Sequence, residues 1–508
     1  MTRRASTFEL ILPPRPPGIP SFHWLRNSLR TEILSGRLTP GARLPASRDL
    51  GRQYGLSRGT ILTALDELRA EGYLEARKGS GTYVSSILPE HLLPSHKSGP
   101  DASSIPEGVQ HLSAFAQRLR PFAHNVTSTS LAFRTNLPAL DLFPTTLWAQ
   151  VSARRLRAAS TRLLFGAEAQ GYRPLREAVA HYARSSRGVR CEAAQVVIVS
   201  GIQEALDLTA RLLLNPGDNV LVEDPGYRGA WAAFRSAGAR LTSIPIDHEG
   251  AAPQESDMRN ARLLYVTPGH QYPMGTTMSL RRRLELLVWA RQHETAIFED
   301  DYDSEFRFSG RPVPAMQGLD CGGRVLFAGS FNKVLFPSLR LGYLILPHNL
   351  VEVFARAKAI TTSHHPLLDQ AVLTDFIEQG HFGRHLRRMR QIYQQRLAAL
   401  LEAANLHLSE YLHVSNIEAG LQTTGMLQHN LSAEAVVSRA ALDNIDVVAL
   451  SRYCSAASVP GGLQIGFAAV NEKEIKSGVL KLAQILKSMV AQPAARTQPA
   501  RELEECVQ

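Results

Sequence analysis

The chain has 508 residues, with 44% hydrophobic and 20% charged residues and a net charge of +10. That length exceeds what one hydrophobic core supports, so two or three domains are expected. No apolar run approaches a membrane span, and the N-terminus (MTRRASTFEL) lacks the apolar core of a signal peptide, so a cytoplasmic protein is expected. Cys191, Cys321, Cys454 and Cys506 are widely spaced and form no CxxC pair, which argues against a zinc site or disulfide framework. The charge is uneven. Residues 1–84 hold 13 Lys+Arg against 7 Asp+Glu, a difference of +6 in one sixth of the chain. A small basic segment ahead of a large near-neutral remainder points to a nucleic-acid partner, although basic surfaces are often merely solvated.

Residues 21–84 are sharply punctuated. Leu25, Leu29 and Ile33 recur at four-residue spacing and predict a helix over 22–34, which ends in the SGRLTPG turn. Ser47 is expected to cap a short helix over 48–54. Gly55 allows a tight turn, and Ser57 is expected to cap a third helix with Ile61, Ala64, Leu65 and Leu68 inward. GYLEARKGSGTYV then alternates as a hairpin around Lys78-Gly79-Ser80-Gly81. Three helices and a glycine-tipped hairpin make a winged helix-turn-helix, whose third helix opens with Ser57, Arg58, Gly59 and Thr60 toward a major groove.

The stretch GRLTPGARLPASRDLGRQYGLSRGTILTALDELRAEGYLEARKGSGTYV closely resembles the GntR family of bacterial regulators. The resemblance implies that Arg48, Ser57, Arg58 and Thr60 face DNA and that Lys78 and Gly79 place the wing in a minor groove. The plainer alternative for each arginine is a solvated surface side chain.

Residues 85–130 lose periodicity among Pro, Gly, Ser and His and read as a linker with one short helix near 111–119. From about 131 to 490, apolar runs recur at 196–199, 220–223, 263–266, 297–299, 325–328 and 344–346, with helices between several of them. Such strands predict an α/β large domain with a buried, mostly parallel sheet. A smaller C-terminal α+β subdomain follows, mainly over 350–490, with strands expected near 413–417, 445–449 and 463–467. Residues 491–508 are expected to be a disordered tail.

Chemistry gathers at the C-terminal ends of these strands, where open α/β sheets bind ligands. The chain has eight lysines, and only Lys333 and Lys358 lie between residues 98 and 472. Lys333 follows a buried strand, and a primary amine there can condense with an aldehyde where a guanidinium cannot. A strand-end lysine reaching solvent is the bland alternative. Asp300 and Tyr302 follow another strand and, two apart on extended chain, point the same way. Tyr227, in an Asp-Pro-Gly-Tyr turn, can present a ring face. Ser200-Gly201-Ile202-Gln203 leads into a helix N-terminus suited to phosphate, which Ser330 and Arg340 can supplement.

GYRPLREAV, EDPGY, EDDYDSEF and SFNKVLFPSLRLGY together resemble the fold-type-I aminotransferases that use pyridoxal 5′-phosphate. The resemblance implies Lys333 as the Schiff-base lysine, Asp300 on the pyridine nitrogen and Tyr302 on the phenolic oxygen. It places Tyr227 on the ring face and Gly201, Gln203, Ser330 and Arg340 around the phosphate. Joined to a GntR head, the chain resembles the MocR subfamily of regulators. For that subfamily the expected partners are a DNA operator, pyridoxal 5′-phosphate or an amine or amino-acid effector, and a head-to-tail second copy.

The departures are as telling. Gln464 stands where the enzymes carry an arginine for the substrate carboxylate, and a neutral amide gives up a charge-assisted pair typically worth ~1.5–3 kcal/mol. Gly269 is expected at an asparagine position beside the phenolic oxygen, Gly166 at a tyrosine position reaching the partner subunit's phosphate, and Asn332 at a serine position. A DNA-binding regulator with a ligand-sensing aminotransferase-like domain is therefore expected. The alternative is a working aminotransferase with an accessory head.

Overall fold

A computed structural model describes residues 10–77, 81–89, 112–119, 132–310, 313–457, 459 and 461–491. They fall in two compact units, residues 1–110 and 111–508. The expected wing tip with Lys78 and Gly79, the linker stretches 90–111 and 120–131, and the expected tail from 492 onward lie outside the described residues.

The first unit holds α1 (Ser21–Leu34), α2 (Ser47–Tyr54) and α3 (Arg58–Ala70), followed by the antiparallel pair β1 (Leu74–Arg77) and β2 (Gly81–Val84). Leu25, Leu29 and Ile33 of α1 pack on Leu50, Ile61, Leu65 and Leu68, all nearly devoid of exposure. Gly55 ends α2 in the left-handed region at φ 64°, where a side chain would be strained. Ser57 caps α3 by accepting from Thr60 N at 3.1 Å. Ser47 is not a cap. It is the first helical residue, and Ala46 holds the cap position with no side-chain bond, because the turn after Pro45 enters the helix one residue early. The core also reaches beyond the 21–84 span. Leu10 and Leu12 of the proline-rich arm are buried in it, and Trp24 Nε1 donates to Pro13 O at 3.1 Å. Tyr54 Oη and Gln53 Nε2 both donate to Leu10 O.

In the second unit a sheet forms from β3 (Val196–Val199), β4 (Asn219–Asp224), β5 (Arg240–Asp247), β6 (Gly250–Ala251), β7 (Ala261–Val266), β8 (Ala296–Asp301), β9 (Val325–Ser330) and β10 (Gly342–Ile345). Their spatial order is β3-β10-β9-β8-β7-β4-β5-β6. The β9-β8-β7-β4-β5 run is parallel, whereas β10 is antiparallel to both neighbours and β6 is an antiparallel edge. Strands β3, β9 and β10 are buried along their whole length, which explains their continuous apolar character. β11 (Leu412–Val414), β12 (Gln422–Leu427), β13 (Val448–Ala449) and β14 (Gly462–Gly466) make a second, antiparallel sheet in the order β11-β12-β14-β13. The short linker helix, Ala114–Leu119, packs against the helix Arg228–Ser236, with Arg118 Nε donating to Ser236 O at 2.9 Å.

Candidate functional site

Asn136, Ile202, Tyr227, Tyr265, Tyr272, Asp300, Tyr302 and Lys333 line one cavity at the C-terminal ends of β4, β7, β8 and β9. Lys333 reaches it from the turn after β9, with Nζ donating to Asn136 Oδ1 at 2.5 Å and lying 5.9 Å from the Tyr302 ring centroid. Burial lowers its amine to about 8, against the opposing pull of Asp303 and Asp300. An amine in that range exposes a nucleophilic lone pair to an appreciable degree at neutral pH.

Asp300 is the second anchor. Tyr265 Oη donates to its Oδ2 at 2.7 Å, while Oδ1 is buried with no partner among the described residues. Burial raises this carboxyl to about 7; the Tyr265 bond opposes that and the charge of Asp301 adds to it. Its neighbour has a different job: Asp301 turns away into a two-point pair with Arg187, at 2.6 and 3.0 Å. The alternation of β8 thus separates the two carboxylates that the sequence presents as a pair.

The phosphate end is built on the helix Ile202–Leu213, whose N-terminus follows Gly201. A Cβ at Gly201 would come within 2.8 Å of Asn332 Nδ2, so the backbone approaches closely only because this residue is glycine. Asn332 clips the wall together, donating to Ser200 O at 3.0 Å and accepting from Leu341 N at 3.1 Å. Arg340 adopts the left-handed region at φ 52°, sits 3.4 Å from Ser200 Oγ, and makes no ion pair among the described residues. Ser330 Oγ accepts from Asn332 N at 3.3 Å. Gln203 lies in the first turn of the Ile202–Leu213 helix with its side chain turned to a neighbour. Its amide already donates to Gly229 O at 3.0 Å and accepts from Tyr227 Oη at 3.4 Å, so it positions the Tyr227 turn. Tyr227 packs edge-on to Tyr272, 5.8 Å between centroids.

An orphaned carboxylate oxygen, a poised amine and a helix N-terminus beside an arginine with no ion pair among the described residues fit a pyridine ring bearing an aldehyde and a phosphate. Lys358 does not compete for that aldehyde. It is fully buried and donates to Glu204 Oε1 and Thr362 Oγ1, both at 3.1 Å. Burial pushes Glu204 up, but His365, Lys358 and the Ser200 N–H outweigh it and hold the carboxyl at about 2.

Among the departures, Gln464 lies at the centre of β14, opposite Thr424 and Val448. It is fully buried beside the Tyr272 phenol, and neither amide atom has a partner within hydrogen-bond geometry among the described residues. Gly269 is not among the residues that line the cavity. A Cβ added there would meet Asp301 and Ser304, and Tyr272, three residues on in the same loop, lines the pocket instead. Gly166 ends the short helix Thr161–Phe165, within 3.4 Å of His364 for an added Cβ.

Four contributors were not among the expected site residues. Asn136 comes from 197 positions before Lys333 and sits at φ 63°. Tyr265 reads as core strand, and His270 as a loop residue. Asp224, just before the Tyr227 turn, accepts from the backbone N–H groups of Ser455, Ala456 and Ala457 at 3.0, 2.7 and 3.0 Å. That carboxylate fastens the C-terminal segment to the pocket. Asp224→Ala is expected to cost about 1–3 kcal/mol in urea denaturation of the full chain.

In the first unit Arg48 and Arg58 are exposed, at the starts of α2 and α3, and neither makes an ion pair among the described residues. Ser57 and Thr60 are engaged with each other, 2.8 Å between hydroxyls, so their first role is to shape the N-terminus of α3.

Fold and site define a winged-helix DNA-binding unit joined to an aminotransferase scaffold. The family described as aminotransferase class I and II matches residues 131–482, and bacterial regulatory proteins, gntR family, matches residues 25–84. The chain is 38% identical to the probable rhizopine catabolism regulatory protein MocR of Rhizobium meliloti, over 91% of this chain and 93% of that one. It is 29% identical to the pyridoxine biosynthesis transcriptional regulator PdxR of Corynebacterium glutamicum, over 91% and 95%. Among solved structures, α-aminoadipate aminotransferase LysN of Thermus thermophilus, complexed with N-(5′-phosphopyridoxyl)-L-leucine, superposes with a TM-score of 0.67 at 29% identity, covering 75% of this chain and 98% of that one. The chain belongs to the MocR-type transcriptional regulators, a GntR head fused to a class I and II aminotransferase domain.

Proposed function

We propose that this regulator holds pyridoxal 5′-phosphate on Lys333 and uses the occupied pocket to sense an amine or amino acid, changing its grip on an operator. The observation that carries the reading is Asp300 Oδ1, unpartnered among the described residues and in the same cavity as Lys333. When bound, the cofactor supplies an electrophilic carbon and an electron-accepting ring. The chain's own residues do the rest. Lys333 presents the amine, Asp300 places negative charge against the ring nitrogen, and the Ile202 helix N-terminus with Ser330 and Arg340 receives the phosphate. Tyr227 covers the ring face.

The substrate side is where the sensor and the enzyme part. Gln464 offers no charge to a carboxylate, so an amino acid loses its two-point clamp, and wild-type transamination is expected to be slow or absent. The retained Lys333, Asp300 and Tyr302 favour the second reading, a working aminotransferase. Rapid steady-state turnover with a common amino donor would decide for it.

The operator is read by residues 21–84, acting in the cytoplasm as one head of a head-to-tail dimer on two half-sites. Arg58→Ala is expected to weaken operator binding by ~1–3 kcal/mol if it contacts a base edge. A gel-shift titration with unchanged affinity for Arg48→Ala, Arg58→Ala and the double variant would reject this interface.

A further inference from the structure

The Tyr302 hydroxyl has one hydrogen-bond partner among the described residues, and that partner dictates where its proton points. His270 Nδ1 lies 3.0 Å from Tyr302 Oη and 3.0 and 3.2 Å from the two carboxylate oxygens of Asp303. All three side chains are buried. A carboxylate only accepts, so the hydrogen between Asp303 and the ring sits on Nδ1. His270 Nε2 is buried without a partner among the described residues, and a proton there would be an orphaned donor. Of the two single-hydrogen tautomers, these contacts therefore select the one with hydrogen on Nδ1. The ring is also wedged: a Cβ at Gly275 would reach 3.2 Å from Nε2, and one at Gly420 would reach 2.2 Å from Cε1.

A protonated Nδ1 has no lone pair to offer, so Tyr302 can only accept from His270. Its own proton must go to another acceptor, and the open side is the cavity that it lines with Lys333 and Asp300.

We infer that Asp303 and His270 are positioning residues that commit Tyr302 to donate into the cofactor cavity. This rests on the cofactor reading above, in which the ring's phenolic oxygen is the acceptor. Asp303→Asn tests it, because an amide donates as well as accepts. The carboxylate then no longer imposes the tautomer, only the orphaned Nε2 still favours it, and Nδ1 becomes able to take the Tyr302 proton and withdraw it from the cavity.

The experiment is a pH titration of the visible band of the purified, cofactor-loaded protein and of three variants: Asp303→Asn, Tyr302→Phe and the double. Donation to the phenolic oxygen stabilises the deprotonated chromophore, so losing it moves the midpoint up. Tyr302→Phe and Asp303→Asn should both raise proton affinity, by roughly tenfold for the former. The upward shift from Asp303→Asn should vanish in the Tyr302→Phe background. A downward shift is what loss of the Asp303 charge alone would produce; that outcome, or an upward shift undiminished in the double variant, overturns the inference and leaves the cofactor reading standing. A wild-type protein with no visible band overturns both. Ring-nitrogen NMR of the cofactor-free protein gives an independent arm: His270 should carry hydrogen on Nδ1 and none on Nε2, and the reverse overturns the inference.

Discussion

Borohydride reduction of the purified protein, followed by peptide mapping, is expected to place a phosphopyridoxyl group on Lys333 and on no other lysine. Lys333→Ala should abolish the covalent link outright, while the Ile202 helix N-terminus and Arg340 still hold free cofactor weakly. Lys358 cannot replace it, because its ammonium is fully buried against Glu204 and Thr362 behind the phosphate loop. The rate of cofactor capture should rise with pH up to about 8, where burial has brought the Lys333 amine, and level off above it. The sign follows from the chemistry: only the free base attacks an aldehyde, and its fraction grows until the pH passes the amine's pKa. An adduct on a different lysine, or none, would remove the basis of the sensing proposal. In a sensor, Lys333→Ala should also lose any cofactor-dependent change in operator affinity, since linkage requires the ligand to favour one DNA-binding state over the other.

Much of this pocket is legible in the sequence because buried parallel strands are continuous apolar runs and ligands gather at their C-terminal ends. Lys333, Asp300, Tyr302 and Tyr227 all stand shortly past such runs. Strand β5 is not legible in the same way. Arg240, Thr242, Ser243, Pro245 and Asp247 break its pattern, because it lies near the sheet edge and is only half buried. Strand β12 hides for another reason: Gln422, Thr423 and Thr424 are buried but polar, with Gln422 and Thr423 hydrogen-bonded to neighbouring loops. Asn136 could not be found by spacing, since only the folded chain brings it to Lys333. Gly269 is not among the lining residues. Three residues separate it from Tyr272 of the same loop, which is.

Asp300 supplies the other large effect, and its two consequences have opposite signs. In the cofactor-free protein burial raises this carboxyl to about 7, well above its usual range near 4. Between those two values the folded state binds a proton that the unfolded state has released. Stability therefore falls as pH rises from about 4 to about 7, by roughly 1.4 kcal/mol for each unit of separation at most. Above 7 the cost is fully present. Asp300→Asn cannot ionise, so the cofactor-free variant should melt higher than the cofactor-free wild type at pH 8 and lose this part of the pH dependence. The same substitution removes the negative charge facing the ring nitrogen. A charge-assisted bond is worth ~1.5–3 kcal/mol, so cofactor affinity should drop by about 10–100-fold. Thermal melts of both proteins at pH 5 and pH 8, with and without pyridoxal 5′-phosphate, read the two effects together. A variant that is less stable when empty at pH 8, or that binds the cofactor as tightly as wild type, would mean that Asp300 does not hold an uncompensated charge for the ring.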